Sequence, residues 1–309
     1  MILTVTLNPS VDEAIFVDEL RPHDTNGVLR VEVDAGGKGI NVARVASALG
    51  SEVVATGFLG GKPGRFVQAV LKEEGVETDF IWLKQPTRRN LCIEERGEQP
   101  PTLLNEAGPH LEEQEWQLLQ EKVRGWLPKA RWVTFGGSLP PGLPRDAYRS
   151  LIQMAHEAGV PCVLDSDGPP MIAGLEAKPT LIKPNDLEAE RLLGAYFHSD
   201  LDFIGAVEQL AAKGIPYVII SHGARGATAY SPEGLWKATP PIIHSKSTIG
   251  SGDSMIAGMV HILAQGGSFE EALRWGTAAG AATAMSSGAE IANRQGVEQL
   301  LPQVQVKRW

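Results

Sequence analysis

Cysteine is nearly absent: Cys92 and Cys162 are the only two in 309 residues, far apart and outside any C-x-x-C pair. That excludes a disulfide framework and a thiolate zinc site, and it points to a reducing compartment. Cationic excess is missing too. Lys and Arg total 28 against 37 Asp and Glu, a net charge of −9, so no overall field favours nucleic acid and any anionic ligand must be drawn by a local site. The seven histidines show no metal-ligand spacing, and His222 reads as a loop residue. No long hydrophobic run occurs. The small-residue region from Gly276 to Ala292 is interrupted by Ser286, Ser287, Gly288 and Glu290, which predicts a buried helix followed by a loop instead of a membrane span. The start, Met1 to Asn8, lacks the basic residues and apolar core of a signal peptide and reads as a first strand. The expectation is a cytoplasmic protein with neither nucleic acid nor membrane as partner.

What is present is a globular composition, 43% hydrophobic, with β-type runs alternating with helical periodicity. Val53 to Phe58, Trp132 to Phe135, Cys162 to Leu164, Leu181-Ile182 and Tyr217 to Ile220 read as strands. The segments from Asn41 to Leu49, Gly64 to Glu74, Leu111 to Leu127, Arg145 to Ala158, Asp186 to Leu193 and Phe203 to Lys213 read as helices. This rhythm predicts an α/β fold with a mostly parallel sheet, whose ligands collect where the strands end, at Gly136-Gly137-Ser138, Lys183-Pro184-Asn185 and Ser221-His222-Gly223. Two regions break the rhythm. Residues 10–34 and 87–104 alternate as strands of a small separate sheet and predict a lid inserted in a single domain spanning 1–309. No internal repeat, low-complexity tract or linker divides the chain.

The most telling segment is Ser247-Thr248-Ile249-Gly250-Ser251-Gly252-Asp253-Ser254, which runs into the apolar stretch Met255 to Ala264. A helix starting there offers unpaired N–H groups and the positive end of its dipole to an anion. Gly250 and Gly252 let a ligand approach the main chain, and Asp253 stands where it can take a proton from an attacking hydroxyl. That combination suits phosphoryl transfer. A glycine turn with an ordinary helix cap would give the same local pattern.

Gly36-Gly37-Lys38-Gly39-Ile40-Asn41-Val42-Ala43-Arg44, Lys183-Pro184-Asn185-Asp186-Leu187-Glu188 and Thr248 to Ser254 resemble, in order and approximate spacing, the motifs of the ribokinase (PfkB) family of carbohydrate kinases. Thr6 to Asp12, Thr87-Arg88-Arg89-Asn90 and Gly136 to Gly142 are similar to the branch that phosphorylates hexose phosphates. The resemblance covers essentially the whole chain. It implies a ribokinase-like three-layer sandwich with a small β-sheet lid, and ATP-dependent phosphorylation of a ketohexose phosphate to the bisphosphate. Fructose 1-phosphate stands ahead of tagatose 6-phosphate and fructose 6-phosphate as acceptor. A kinase of an unphosphorylated sugar or nucleoside, or a catalytically silent sugar-phosphate sensor, is the alternative.

By the same resemblance Asp253 is the catalytic base, and the amides of Gly250, Ser251 and Gly252 form an anion hole. The family usually has alanine where Ser251 stands, a mild departure because backbone amides do that work. Asn185 and Glu188 correspond to a motif that organises Mg²⁺, through water, and Lys183 to a lysine near the nucleotide phosphates. Asp12 and Asn41 match positions that grip sugar hydroxyls, with Gly36 and Gly37 admitting the backbone and Asn90 beside them. Arg88 matches an arginine that binds the acceptor's phosphate, aided by Ser138. Ser221, Gly223 and Gly226 match a loop beside the nucleotide, and Gly280 lies in the segment bordering the adenine. Ser247 and Ile249 correspond to residues that hold K⁺ in relatives. Several hexose-phosphate relatives carry a cation where this chain has Asn26-Gly27; either Lys38 compensates or the phosphosugar is held differently. Relatives also pair through the lid sheet, so a homodimer is expected.

Overall fold

Alternate residues of the central strands point into two different cores, which is what places a sheet between two helical layers. In β1 (Ile2–Thr6), Ile2 packs into one core while Leu3 and Val5 pack into the other. The computed structural model describes residues 1–97, 101–286 and 291–309. The chain continues through β2 (Ser10–Val17), β3 (Val28–Gly36), α1 (Lys38–Ala48), β4 (Val53–Gly60), α2 (Gly61–Glu73), β5 (Glu77–Thr78) and β6 (Ile81–Leu83). Next come β7 (Arg88–Glu95), β8 (Thr102–Asn105), α3 (Glu113–Trp126), β9 (Trp132–Gly136), α4 (Ala147–Glu157), β10 (Cys162–Asp165) and α5 (Gly168–Leu175). Then β11 (Leu181–Ile182), α6 (Asp186–Leu193), α7 (Asp200–Ala211), β12 (Tyr217–Ser221), β13 (Ala227–Ser231) and β14 (Gly234–Thr239) follow. Helices α8 (Ser251–Leu263), α9 (Phe269–Met285) and α10 (Arg294–Leu300) precede β15 (Gln305–Arg308).

The large sheet runs in the order β15-β14-β13-β12-β11-β10-β9-β1-β4-β5, with β6 also paired to β4. From β12 to β5 the pairings are parallel, and β13, β14 and β15 extend the sheet antiparallel. Helices α1, α2, α8, α9 and α10 bury apolar residues in one core, and α3, α4, α5 and α7 in the other. Strand β1 continues to β4 on one side and pairs with β9 on the other, so the chain order reverses there. That is the switch point at which α/β sheets open a crevice beyond the carboxyl ends of their strands. The small sheet, ordered β3-β2-β7-β8, lies apart from the large one.

Several boundaries differ from the sequence reading for local reasons. Helix α1 starts at Lys38, ahead of Asn41, because Gly37 takes φ 113° and turns β3 directly into the helix. Helix α5 was not expected: Gly168-Pro169-Pro170 reads as a turn, but proline suits a first helical turn, and Asp167 accepts from the Gly168 amide at 2.8 Å. The loop expected after the last small-residue helix, at 287–290, and residues 98–100 of the second expected lid segment lie outside the described residues. No helix among the described residues is long and apolar enough to cross a membrane.

Candidate active site

The carboxylate of Asp253 is buried in the first turn of α8, whose N-cap Gly250 has φ 75°, a conformation that favours glycine. Asn41 on α1 donates from Nδ2 to Asp253 Oδ2 at 2.8 Å. Burial raises the Asp253 pKa, and the nearby Asp165 raises it further, while Lys38, the Asn41 hydrogen bond and Lys183 oppose them; the result is about 6. Such a carboxyl is ionised at neutral pH yet basic enough to accept a proton.

Around it the strand ends supply charge. Lys38 Nζ lies 3.1 Å from Asp165 Oδ1 and 3.6 Å from Glu188 Oε1. Burial pulls the Lys38 pKa down, but Asp165, Glu188 and Asp253 outweigh it and keep the group an ammonium. Burial likewise pushes Asp165 up, and Lys183 and Lys38 more than offset it, leaving its pKa lowered. Asp165 Oδ2 is buried without a hydrogen-bond partner among the described residues. The buried Lys183 ammonium would lie 3.0 Å from a Cβ at position 252, so Gly252 is what lets it approach the start of α8. Asn185 and Glu188 cap α6 reciprocally: Asn185 Oδ1 accepts from the Glu188 amide, and Glu188 Oε2 from the Asn185 amide, each at 2.8 Å. Glu188 Oε1 remains turned to Lys38.

A second group of residues faces the crevice from the small sheet. Asp12 Oδ1 accepts from Ser10 Oγ at 2.7 Å and from Asn90 Nδ2 at 2.8 Å. Gly36 lies so close that a Cβ there would stand 2.0 Å from Asp12 Oδ2. Arg88 donates from Nε to the Asn8 carbonyl at 3.2 Å and from Nη1 to the Glu106 carbonyl at 2.9 Å. Among the described residues it has no carboxylate within ion-pair distance, and burial lowers its pKa against the weaker opposing pull of Asp12 and Glu106. Its neighbour Arg89 instead reaches the partly buried Glu13 at 3.5 Å. Asn8 Nδ2 bridges to Ser138 Oγ at 3.1 Å and to the Ala107 carbonyl at 3.0 Å, joining the ends of β1 and β9 to the segment after β8.

The remaining sites surround this centre. Asn185 and Ser221 form an isolated parallel bridge, and the loop from Ser221 to Gly226 closes through the His222 amide on the Gly226 carbonyl at 2.7 Å. Gly223 and Gly226 take φ 57° and 94° within it. His222 is a packing residue: its ring lies 4.0 Å from Phe203, and Nε2 accepts from the Thr228 amide at 3.2 Å. Gly280 faces α8, where a Cβ would lie 3.0 Å from the Ser251 carbonyl, so its local task is helix packing. The Ser247 hydroxyl accepts from the Ile249 amide at 3.3 Å, shaping the turn into α8.

Lys38 is thus engaged with Asp165 and Glu188. Sequence reading missed Asp165 and the segment from Glu106 to Gly108, and it gave Asn8 and Ser10, inside the Thr6 to Asp12 stretch, no role of their own. The signal available for that segment was Gly108, where a Cβ would fall 2.2 Å from Asn8 Oδ1.

The Asp253 pKa has a consequence for stability. Folding raises it from 3.8 to about 6, so its contribution is fully present below the unfolded value and is lost as pH rises through the folded one. Asp253→Asn removes that penalty. The variant should be more stable than the wild type at pH 7, by on the order of 3 kcal/mol at most, with a smaller margin at pH 5; paired thermal melts at the two pH values check it.

Comparison with known proteins identifies the family. Residues 5–295 match the pfkB family of carbohydrate kinases. The chain is 36% identical over 308 residues to a 1-phosphofructokinase of Borreliella burgdorferi, covering 99% of this chain and 98% of that one. Phosphofructokinase-2 from Escherichia coli, solved in complex with potassium, superposes with a TM-score of 0.91 at 30% identity and 98% coverage of both chains. The same enzyme in its tetrameric inhibited form gives a TM-score of 0.90 at the same identity and coverage. A family match over nearly the whole chain and a full-length relative at 36% identity show that this chain belongs to the pfkB family of carbohydrate kinases.

Proposed function

We propose that this chain transfers the γ-phosphate of MgATP to the free primary hydroxyl of a ketohexose phosphate, with fructose 1-phosphate the first choice of acceptor. The observation that carries this reading is Arg88, a partly buried guanidinium held by two carbonyl oxygens with no carboxylate partner among the described residues. A cation desolvated and left uncompensated is a receptor for an anion, and a planar fork suits a phosphate. The relative named 1-phosphofructokinase supports the order of substrates.

The residues divide the chemistry between them. Asp12 and Asn90 orient the sugar hydroxyls, and Arg88 holds the existing phosphate. Asp253 takes the proton as the acceptor oxygen bonds to the γ-phosphorus and the bond to the β-phosphate oxygen breaks. The amides at the start of α8, together with Lys38 and Lys183, stabilise the charge that develops on the transferring group. Ser221, Gly223 and Gly226 line the nucleotide side.

For a divalent ion the fit is of one kind. Among the described residues no cluster of three or more His, Cys, Asp or Glu side chains is arranged as a metal site. Glu188 Oε1 and the unpartnered Asp165 Oδ2 leave acidic oxygens beside Lys38, which suits Mg²⁺ that keeps most of its waters. When bound it would neutralise phosphate charge.

Arg30 does not replace the cation missing at Asn26-Gly27: it pairs with Glu32 at 3.2 Å and stacks 3.7 Å over the Phe16 ring. That observation favours a second reading, a kinase of an unphosphorylated sugar. Arg88→Ala separates the two when kcat/KM is compared for fructose 1-phosphate, fructose 6-phosphate, tagatose 6-phosphate, fructose and ribose. The phosphosugar reading expects a fall of at least about a hundredfold for the preferred phosphosugar, in line with losing a desolvated charge pair. An unchanged profile, with turnover of free sugars only, supports the second.

Two further assignments accompany the reading. K⁺ held at the turn of Ser247 and Ile249 should raise the rate, as the potassium complex of the related enzyme suggests; rates in matched buffers with and without K⁺ read this. The small sheet acts as a lid, and its face bearing Val31, Val33 and Leu104, each about half exposed, is apolar enough to pair two copies. Sedimentation at micromolar concentration should give the mass of two chains. A cytoplasmic setting suits the two buried, unpaired thiols.

A further inference from the structure

Arg44 lies in the second turn of α1, one turn beyond Asn41, and its side chain is only 7% exposed. Its guanidinium forks between two parts of the molecule. Nε and Nη2 donate to the two carboxylate oxygens of Glu74, each at 2.8 Å, where Glu74 ends α2 in the α/β body. Nη1 reaches Asp34 Oδ1 at 3.0 Å and the Ala35 carbonyl at 3.2 Å, both on β3 of the small sheet. Among the described residues, the contact of Arg44 with Asp34 is the one ion pair that joins the small sheet to the body. One buried guanidinium therefore holds a carboxylate from each side, and each of its three nitrogens is engaged.

What it holds matters. Asp34 and Ala35 immediately precede Gly36 and Gly37, the point at which β3 turns into α1. Gly36 passes against the Asp12 carboxylate with no room for a methyl group, and Asp34 is paired in register with Asp12 across β2 and β3. The same helix carries Lys38 to Asp165 and Asn41 to Asp253. Helix α1 is thus tied at successive turns to the phosphate side of the crevice, to the buried acid and, through Arg44, to the base of the small sheet.

We propose that Arg44 is a positioning residue that fixes the base of β3 relative to α1, so that the acceptor-binding carboxamide and carboxylate of the small sheet stay in register with Asp253. It touches neither substrate. Its loss loosens the grip on the acceptor and leaves the nucleotide side, built on the loop after β12, in place. The kinetic half of this inference rests on the phosphosugar kinase reading.

The two carboxylates on the fork allow a test that a purely structural role would fail. Asp34→Asn breaks the tie to the small sheet, and Glu74→Gln weakens the tie within the body. Asp34→Asn should raise KM for fructose 1-phosphate by about tenfold or more, with KM for ATP within twofold and kcat within threefold. Glu74→Gln should lower the melting temperature yet leave KM for fructose 1-phosphate within twofold. Amide hydrogen exchange, which needs no substrate, should quicken about tenfold over residues 28–36 in Asp34→Asn and stay unchanged in β9 and β10. If Asp34→Asn fails to fold, Arg44→Lys, which keeps the charge and loses the fork, must move the same KM in the same direction. Equal effects of Asp34→Asn and Glu74→Gln on KM, or exchange over 28–36 unaltered by Asp34→Asn, would overturn the proposal. If the wild type turned over no phosphosugar, the kinase reading would fall while the exchange comparison still decided the role of Arg44.

Discussion

The hydrogen bond from Asn41 Nδ2 to Asp253 Oδ2, 2.8 Å long, is the contact on which the rest of the site depends. A carboxylate taken out of water at a helix start is costly unless donors and cations meet it. Meeting that requirement brings α1 against α8 and places the Lys38 and Lys183 ammoniums within electrostatic reach of Asp253. It also sets the acid's chemistry. With burial and Asp165 raising its pKa against those opposing groups, the carboxyl is held at about 6, between a strong acid that would not accept a proton and a neutral group that could not.

The topology delivers these groups to one place. Because the sheet reverses its order between β4, β1 and β9, the chain beyond β1 and β9 opens outward, and Asn8 and Ser138 meet there across the gap. β10 and β11 then present Asp165 and Lys183 along one edge of the crevice, α8 forms its floor, and the small sheet supplies Asp12, Asn90 and Arg88 from the other side. Groups at the strand ends and groups on the small sheet thus stand on separate elements joined by α1.

Much of this was legible in the sequence because glycine and short polar residues leave strong marks. Gly250, Gly252 and Asp253 marked a helix start suited to an anion, and the α/β alternation marked the large sheet. What stayed hidden depends on strand pairing. Asp165 stands in Leu164-Asp165-Ser166-Asp167-Gly168, a run that reads as a turn after a strand; only the pairing of β9 with β10 brings it to Lys38. Arg88 and Arg89 look alike as neighbours, but a strand sends successive side chains to opposite faces, so one reaches the Asn8 carbonyl and the other the partly buried Glu13. Asn185 and Glu188 are a case where a motif that carried the resemblance is also a bland local pattern: they form an ordinary capping box, and the same geometry leaves one Glu188 oxygen facing Lys38.

The central claim is that Asp253, buried and held by Asn41, is the group whose ionisation permits transfer. The pH profile of kcat/KM for the preferred phosphosugar, at saturating MgATP and constant ionic strength, tests it most directly, since this ratio titrates the essential groups of the enzyme before that substrate binds. Protonation at Asp253 removes the base, so the account predicts a kcat/KM that climbs tenfold per pH unit on the acid side of one raised carboxyl pKa and levels off above it. A profile flat down to about pH 4.5 would contradict it, because the acid holding the proton would then be neither buried nor raised.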